Sequence, residues 1–427
     1  STLLNDKSEG VFKGDQPLTG GIYFVVSPDK EILFELLLDK QQQFSIKADS
    51  GNGAGKVVFT GSPDNTQFQE YSASISRLGT EISALNKKLP LAASKADSSV
   101  LITQVQTLNK KMHQIRENII AEHPSSLLAA LFRCMKEPVV PPVASIPGAA
   151  HDSLFAYHYY KRHYWDGVSF TDERLLRTPF FEARLDKYYK DLVIPEPDSI
   201  KKEVDIMLQK SHASKEMYKF LLIHFIQKYI NPEYMGQDAV FVHNFEKYIN
   251  DNPEVDWFTE KYKKFIYDRA YSLMANLIGQ PAPPLDMVDT LGKPVPLYNL
   301  NAPFTVVFFW DATCSHCKEV VPHLDSLFQH KWKQMGIRLY GVMTDGGREA
   351  WMNYIHEHGL KDWLHVYQTD ARKEADYEAG RPSYKQLYDV YQTPVLYLLD
   401  KDKRIIAKKL TYQQIDEVLT IKMKGAS

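Results

Sequence analysis

The first sixty residues carry short β-rich runs, Ile22–Val26 and Ile32–Leu37, on either side of Ser27-Pro28-Asp29-Lys30, a turn sequence that predicts a hairpin. Phe44–Ala48 and Val57–Thr60 continue the pattern around a glycine-rich stretch, Asp49–Gly55, and a small β-domain is expected to end near Thr60. The period then lengthens. Ser62-Pro63 reads as an N-cap and first helical position, and Tyr71, Ile75, Leu78, Ile82 and Leu85 follow in alternating steps of four and three. Leu101, Val105, Leu108, Met112, Ile115 and Ile119 repeat those steps after a Pro90–Ser99 loop, which predicts an antiparallel helical hairpin, read as a structural arm with a partner-binding coiled coil as the alternative.

Pro138, Pro141, Pro142 and Pro147 make Pro138–Gly148 a stiff linker or extended surface segment. Helical patterning returns in Leu154–Trp165, Pro179–Leu192, Ser199–Gln209, Ser214–Ile230, Ala239–Ile249 and Glu254–Ile278, punctuated by Thr178-Pro179, Asn231-Pro232 and Asn252-Pro253. Phe155–Trp165 concentrates aromatic residues around His158 and His163. Five positions apart, these histidines share a helix face poorly, so packing is expected there and not a metal site.

The last 150 or so residues change character. Pro281-Ala282-Pro283-Pro284 leads into a hairpin with Leu291-Gly292-Lys293 at its tip. Phe304–Trp310 is apolar without alternation, as a strand buried on both faces should be. A helix over 315–335, strand Ile337–Met343, helix Glu349–His358, a short strand near Leu364–Tyr367 and a helix near Tyr384–Val390 follow. Strands Val395–Asp400 and Arg404–Lys409 and a closing helix, Tyr412–Lys422, complete an α/β sandwich with a mixed sheet. The boundaries are thus 1–61 for the β-domain, 62–137 for the arm, 138–278 for the helical domain and 279–427 for the α/β domain, a multidomain α+β chain.

Composition narrows the function. The 51 basic and 53 acidic residues are interspersed, with no basic stripe to hold nucleic acid. The longest apolar runs fall far below the ~20 residues that span a bilayer. The amino terminus lacks a basic region followed by an apolar one, so an exported form is expected to have lost its signal before residue 1. Three cysteines exclude a disulfide-stapled scaffold. Cys134 lies among apolar neighbours in Leu127–Lys136 and is expected to be a buried, inert thiol, with pairing to another chain as the alternative.

Cys314-Ser315-His316-Cys317 follows the buried strand and opens a helix. The first cysteine falls at the helix N-terminus, where unpaired N–H groups and the positive end of the dipole favour a thiolate, and protonated His316 would help further. The second lies one turn inside, in reach of a mixed disulfide. Cys314 is therefore expected as nucleophile and Cys317 as resolving thiol. Zinc would need two further ligands, and c-type haem attachment would need His where Lys318 stands.

Phe309 through Cys317, Pro322, and Thr393-Pro394 before a strand ending in Asp400 resemble a thioredoxin fold, and the Gly279–Pro283 lead-in with the first hairpin resembles its TlpA/ResA-like branch. The resemblance covers about residues 279–427. It implies that Pro394 is a cis-proline facing the cysteines, that the Thr393 backbone pairs with substrate, that Trp310 shields the active-site face and that Pro322 kinks the helix. Residues 15–70 and 150–278 resemble, in general pattern, the multidomain thiol:disulfide oxidoreductases of Bacteroidetes. Three positions depart from the family. Thr313 stands where Trp is usual, Phe308 replaces the buried acid of thioredoxins, and Val320 replaces a ResA-like Glu. Glu319 is displaced from that Glu by ~100° around a helix. The proton acceptor for Cys317 is left open among Glu319, His316, Asp311 and water.

The function so implied is thiol:disulfide exchange, in the direction of reduction, with protein disulfide or dithiol substrates and an upstream electron donor. It uses the redox-active Cys314–Cys317 pair and no metal or organic cofactor. The implied location is the periplasm or outer envelope, with lipid anchoring through a removed lipobox left open. The competing class is a non-catalytic envelope binding protein whose upstream domains hold the partner. A thiol peroxidase is disfavoured by Val307 and Asp311, which stand where peroxiredoxins carry Pro and Thr.

Overall fold

The computed structural model describes residues 2–49, 57–146 and 152–424. The glycine-rich loop after Asp49 and the end of the proline-rich segment lie outside the described residues. The chain forms two compact units, Ser1–Pro195 with Glu203–Leu221, and Glu196–Lys202 with Leu222–Ser427.

In the first unit, β1 (Gly21–Val26) and β2 (Ile32–Leu38) form the expected antiparallel hairpin, and β3 (Ser45–Ala48) pairs with β4 (Val57–Thr60). Leu36, Leu38 and Phe59 make their small core. Helices α1 (Pro63–Lys88) and α2 (Lys95–Glu122) form the arm. Ser62 holds the N-cap position of α1 without capping the backbone, because its Oγ accepts the Asn65 side-chain amide at 2.8 Å. Asn65 also pairs both ways with the Leu37 backbone at 2.8 Å, which ties α1 to β2. Helix α3 (Leu127–Met135) buries Cys134, whose thiol burial pushes up to about 11. Helices α4 (Phe155–His163) and α5 (Pro179–Asp191) complete the region before α6 (Pro197–Ser211) and α7 (Lys215–Ile230), which span the junctions between units. His158 and His163 each pair with a single aspartate, Asp152 at 2.7 Å and Asp166 at 2.6 Å.

The second unit adds α8 (Asp238–Tyr248) and α9 (Glu260–Met274) to a six-stranded sheet. Its strands are β5 (Val288–Asp289), β6 (Phe304–Trp310), β7 (Arg338–Met343), β8 (Leu364–Tyr367), β9 (Val395–Asp400) and β10 (Ile405–Lys408), in spatial order β10-β9-β6-β7-β8-β5. β6, β7 and β8 run parallel, and β9, β10 and β5 antiparallel to their neighbours. Helices α10 (Ser315–Leu327), α11 (Arg348–Glu357), α12 (Asp370–Glu378), α13 (Tyr384–Leu387) and α14 (Tyr412–Lys424) follow in chain order. Successive β6 side chains point to opposite faces. Val306, Phe308 and Trp310 pack under α10, α11 and α14, while Val307 and Phe309 pack against Tyr384, Tyr388 and the 282–297 segment.

Three expectations change. The junction at 279 is not a boundary between compact units, because α8 and α9 belong with the sheet. Lys408 is buried and pairs with Asp238 while donating to the Asn276 carbonyl at 2.8 Å, and Arg269 pairs with buried Asp389. The hairpin around Leu291 is present as expected, with the Asp289 N–H donating to the Lys293 carbonyl and the Val295 N–H to the Met287 carbonyl, both at 2.9 Å, while β5 pairs with β8 on its other edge. The helix expected over 315–335 ends at Leu327 and passes into a π turn, Phe328–Trp332. The pattern at Glu254–Ile278 yields a helix only from Glu260, where the Thr259 hydroxyl caps the Tyr262 amide at 3.2 Å. No helix among the described residues is long and apolar enough to cross a membrane.

Candidate active site

β6 ends at Trp310, and four residues later Cys314 takes an extended conformation as the N-cap of α10. The intervening turn is fixed by Asp311, whose Oδ1 accepts from both the backbone N–H and the hydroxyl of Thr313 at 2.7 Å. Gly346 closes over that carboxylate with φ +81, and a Cβ there would collide with Asp311 Oδ1. Glycine is required on both counts.

Cys314 is part-exposed and Cys317, one turn along α10, is fully buried; both are free thiols. The peptide bond Thr393–Pro394 is cis. The Thr393 carbonyl lies 3.5 Å from Cys314 Sγ, and the thiol donates to it. Burial pushes the Cys314 thiol up, but the backbone N–H of Cys317, side-chain hydrogen bonds from Thr393 and Cys317, and the His316 N–H outweigh it. The net displacement is downward. Burial pushes Cys317 up to about 11 against the Asp311 N–H, which lies 3.5 Å from its sulfur, and charge on Cys314 pushes it further the same way. One thiol is thus poised to ionise and its neighbour is held protonated.

The remaining expected residues divide. Ser315 and His316 are exposed, and His316 Nδ1 lies 3.6 Å from Glu319 Oε2, with both side chains about three-quarters in solvent. Glu319 therefore faces away from Cys317, and Asp311 is engaged by Thr313. Val320 packs against the core below α10. Pro322 sits inside α10, where it offers no amide to the Lys318 carbonyl. Trp310 does not cover the active-site face. It is wholly buried, nearly parallel to Phe308 at a ring distance of 6.1 Å, and forms a floor beneath the cysteines with Tyr354 and Trp363.

Tyr354, on α11, was not expected from sequence. It packs in the same buried cluster as Cys317; burial raises its phenol, and charge on Cys317 raises it further. Only its period on α11, in phase with Trp351, hinted at an inward position. Among the described residues no group of three or more His, Cys, Asp or Glu is placed to hold a metal ion.

Residues 303–405 match a family model described as thioredoxin-like, and residues 103–275 match a domain of unknown function, DUF5106. The chain is 23% identical over 141 residues to the thiol-disulfide oxidoreductase ResA of Bacillus thuringiensis (strain Al Hakam), a match covering 33% of this chain and 74% of that one. A thioredoxin-like protein from Bacteroides caccae ATCC 43185 is 22% identical, with 67% of this chain and 98% of that chain covered and a TM-score of 0.50. That likeness is one of fold, and it reaches well beyond the sheet domain. A domain of a possible thiol-disulfide isomerase from Cytophaga hutchinsonii ATCC 33406 is 35% identical, covering 35% of this chain and 95% of that one at a TM-score of 0.31.

Proposed function

We propose, for a chain whose carboxyl-terminal part is a TlpA/ResA-like thioredoxin-fold domain, that Cys314 and Cys317 reduce disulfides in protein substrates of the cell envelope. The observation that carries this reading is the placement of Cys314. The residue occupies the N-cap position of α10, its sulfur touches the carbonyl preceding a cis-proline, and a buried cysteine thiol lies one turn behind it.

The Cys314 thiolate attacks one substrate sulfur. A Cys314–substrate bond forms, the substrate disulfide breaks, and the released sulfur takes a proton from solvent. Once Cys314 is in the mixed disulfide its negative charge is gone, which removes one of the influences holding the Cys317 thiol protonated. Cys317 then loses its proton, with the Asp311 N–H facing the sulfur where charge develops, and attacks Cys314 Sγ. The intramolecular disulfide forms as the mixed one breaks. The substrate leaves with two thiols and two electrons, and a separate dithiol donor must restore the pair. This chemistry runs on the two sulfurs without metal or organic cofactor. An oxidising compartment such as the envelope is where substrate disulfides persist.

Cys317→Ser should accumulate a mixed disulfide with a protein substrate that reductant releases, and Cys314→Ser should form none. Intact mass before and after reduction reads both. If neither variant alters exchange, or the wild type shows none, the chain is a binding protein and its upstream domains carry the function.

A further inference from the structure

We infer that a groove beside the Thr393–Pro394 loop, walled on one side by α9, holds the polypeptide flanking the substrate disulfide. A helix outside the thioredoxin fold then forms part of the substrate site. The inference rests on the exchange reading above and extends it to how a protein substrate is held.

The groove has a volume of about 750 Å³. Thr393, which contacts Cys314, lines it together with Gln392, Tyr391, Lys385 and, from α9, Lys264 and Asp268. A space of this size is in the range that encloses a sizeable ligand, whereas a small disulfide needs only the cysteine and the cis-proline loop. Its charges balance. Lys264 pairs with Asp268 at 2.6 Å, and Lys385 pairs with both oxygens of Asp345 at 2.7 Å. An anionic cofactor would find no net positive field there, but the alternating donors and acceptors of an extended peptide would find partners of both kinds. Tyr391 is 71% exposed at the edge, a large amphipathic side chain of the kind that anchors protein contacts.

The wall is fixed before any substrate arrives. Arg269, next to Asp268 on α9, pairs with buried Asp389, donates to the Ile230 carbonyl at 3.2 Å and lies over the Tyr391 ring at 6.0 Å. Ser272 donates to the Gln386 carbonyl, and Asn276 donates to that of Leu387 at 2.8 Å. Two side chains of α9 and one from the turn just after it therefore hold the segment that runs into Thr393. A preformed groove loses less entropy when a chain enters it.

The test uses the full chain and three substrates: 2-hydroxyethyl disulfide and two ten-residue peptides joined as symmetrical disulfide dimers, one with lysines and one with glutamates beside the cysteine. Lys264→Glu leaves two carboxylates on the wall. It should raise the ratio of kcat/KM for the lysine peptide over the glutamate peptide at least fivefold, and Asp268→Lys should move that ratio the other way. Lys263→Glu, the same charge change off the groove, should move it less than twofold. If the variants at 264 and 268 shift the ratio no more than Lys263→Glu while all the proteins still reduce 2-hydroxyethyl disulfide, the groove does not hold substrate and the exchange reading stands. If the wild type reduces none of the three substrates, the exchange reading itself fails and this inference falls with it.

Discussion

Two thiols three positions apart are held in opposite states by neighbours a few ångströms away. Hydrogen bonds from the first turn of α10 bring Cys314 down, and burial holds Cys317 up at about 11. Alkylation follows the thiolate, so the sign is direct: a lowered group reaches half its maximal rate at a lower pH. In the reduced protein, iodoacetamide should label Cys314 first, with a midpoint displaced downward from that of an ordinary thiol. Cys317 and Cys134 should stay unlabelled until the pH approaches about 11 or the protein unfolds. Peptide mapping across pH 5 to ~10 reads this, and equal labelling of Cys314 and Cys317 near neutral pH would contradict it. The spacing of the pair was legible in the sequence because helix geometry alone puts the first cysteine at the cap. The role of Trp310 was legible too but misread. It lies in phase with Val306 and Phe308 on a strand buried on both faces, so it had to point into the core. Tyr354 was not legible, since its nearness to Cys317 depends on how α11 packs across the sheet.

At the scale of elements, patterning found what repeats and missed what does not. β6 through β9 are predominantly apolar and were found nearly to the residue. Helix α12 has no buried residue and is held by the Thr369 cap and by arginines around Asp376, so no apolar period announces it. Contacts between distant elements were equally silent. Lys408 on β10 and Asp238 on α8 are 170 positions apart and almost wholly buried together. Removing one partner leaves an unpaired buried charge, at a cost of about 3–5 kcal/mol, whereas replacing both with apolar groups is often close to neutral. Lys408→Met should therefore lower the denaturation midpoint sharply, and Lys408→Met with Asp238→Leu should recover much of the loss. Urea unfolding followed by tryptophan fluorescence compares them. A double variant less stable than the single one would show that the pair contributes net stability to the docking of α8 on the sheet.

For the whole molecule, local sequence pattern separated β, helical and α/β regions but placed the last junction at a change of periodicity. The chain is compact across that junction because Asp238, Arg269 and Asn276 find partners 111 to 170 positions later, which no local window contains. The second unit thus carries the thioredoxin fold together with two helices that sequence patterning assigned elsewhere. A dithiol that gives electrons to protein disulfides must have a low reduction potential, so the potential of the Cys314–Cys317 pair is the decisive quantity. The full chain is equilibrated in graded thiol/disulfide buffers, trapped by alkylation and counted by intact mass. A reductant of this kind should show a single two-electron couple near or below the ~−270 mV of thioredoxin. A couple near ~−120 mV would make the protein an oxidant, and a pair that never closes would remove the redox centre altogether.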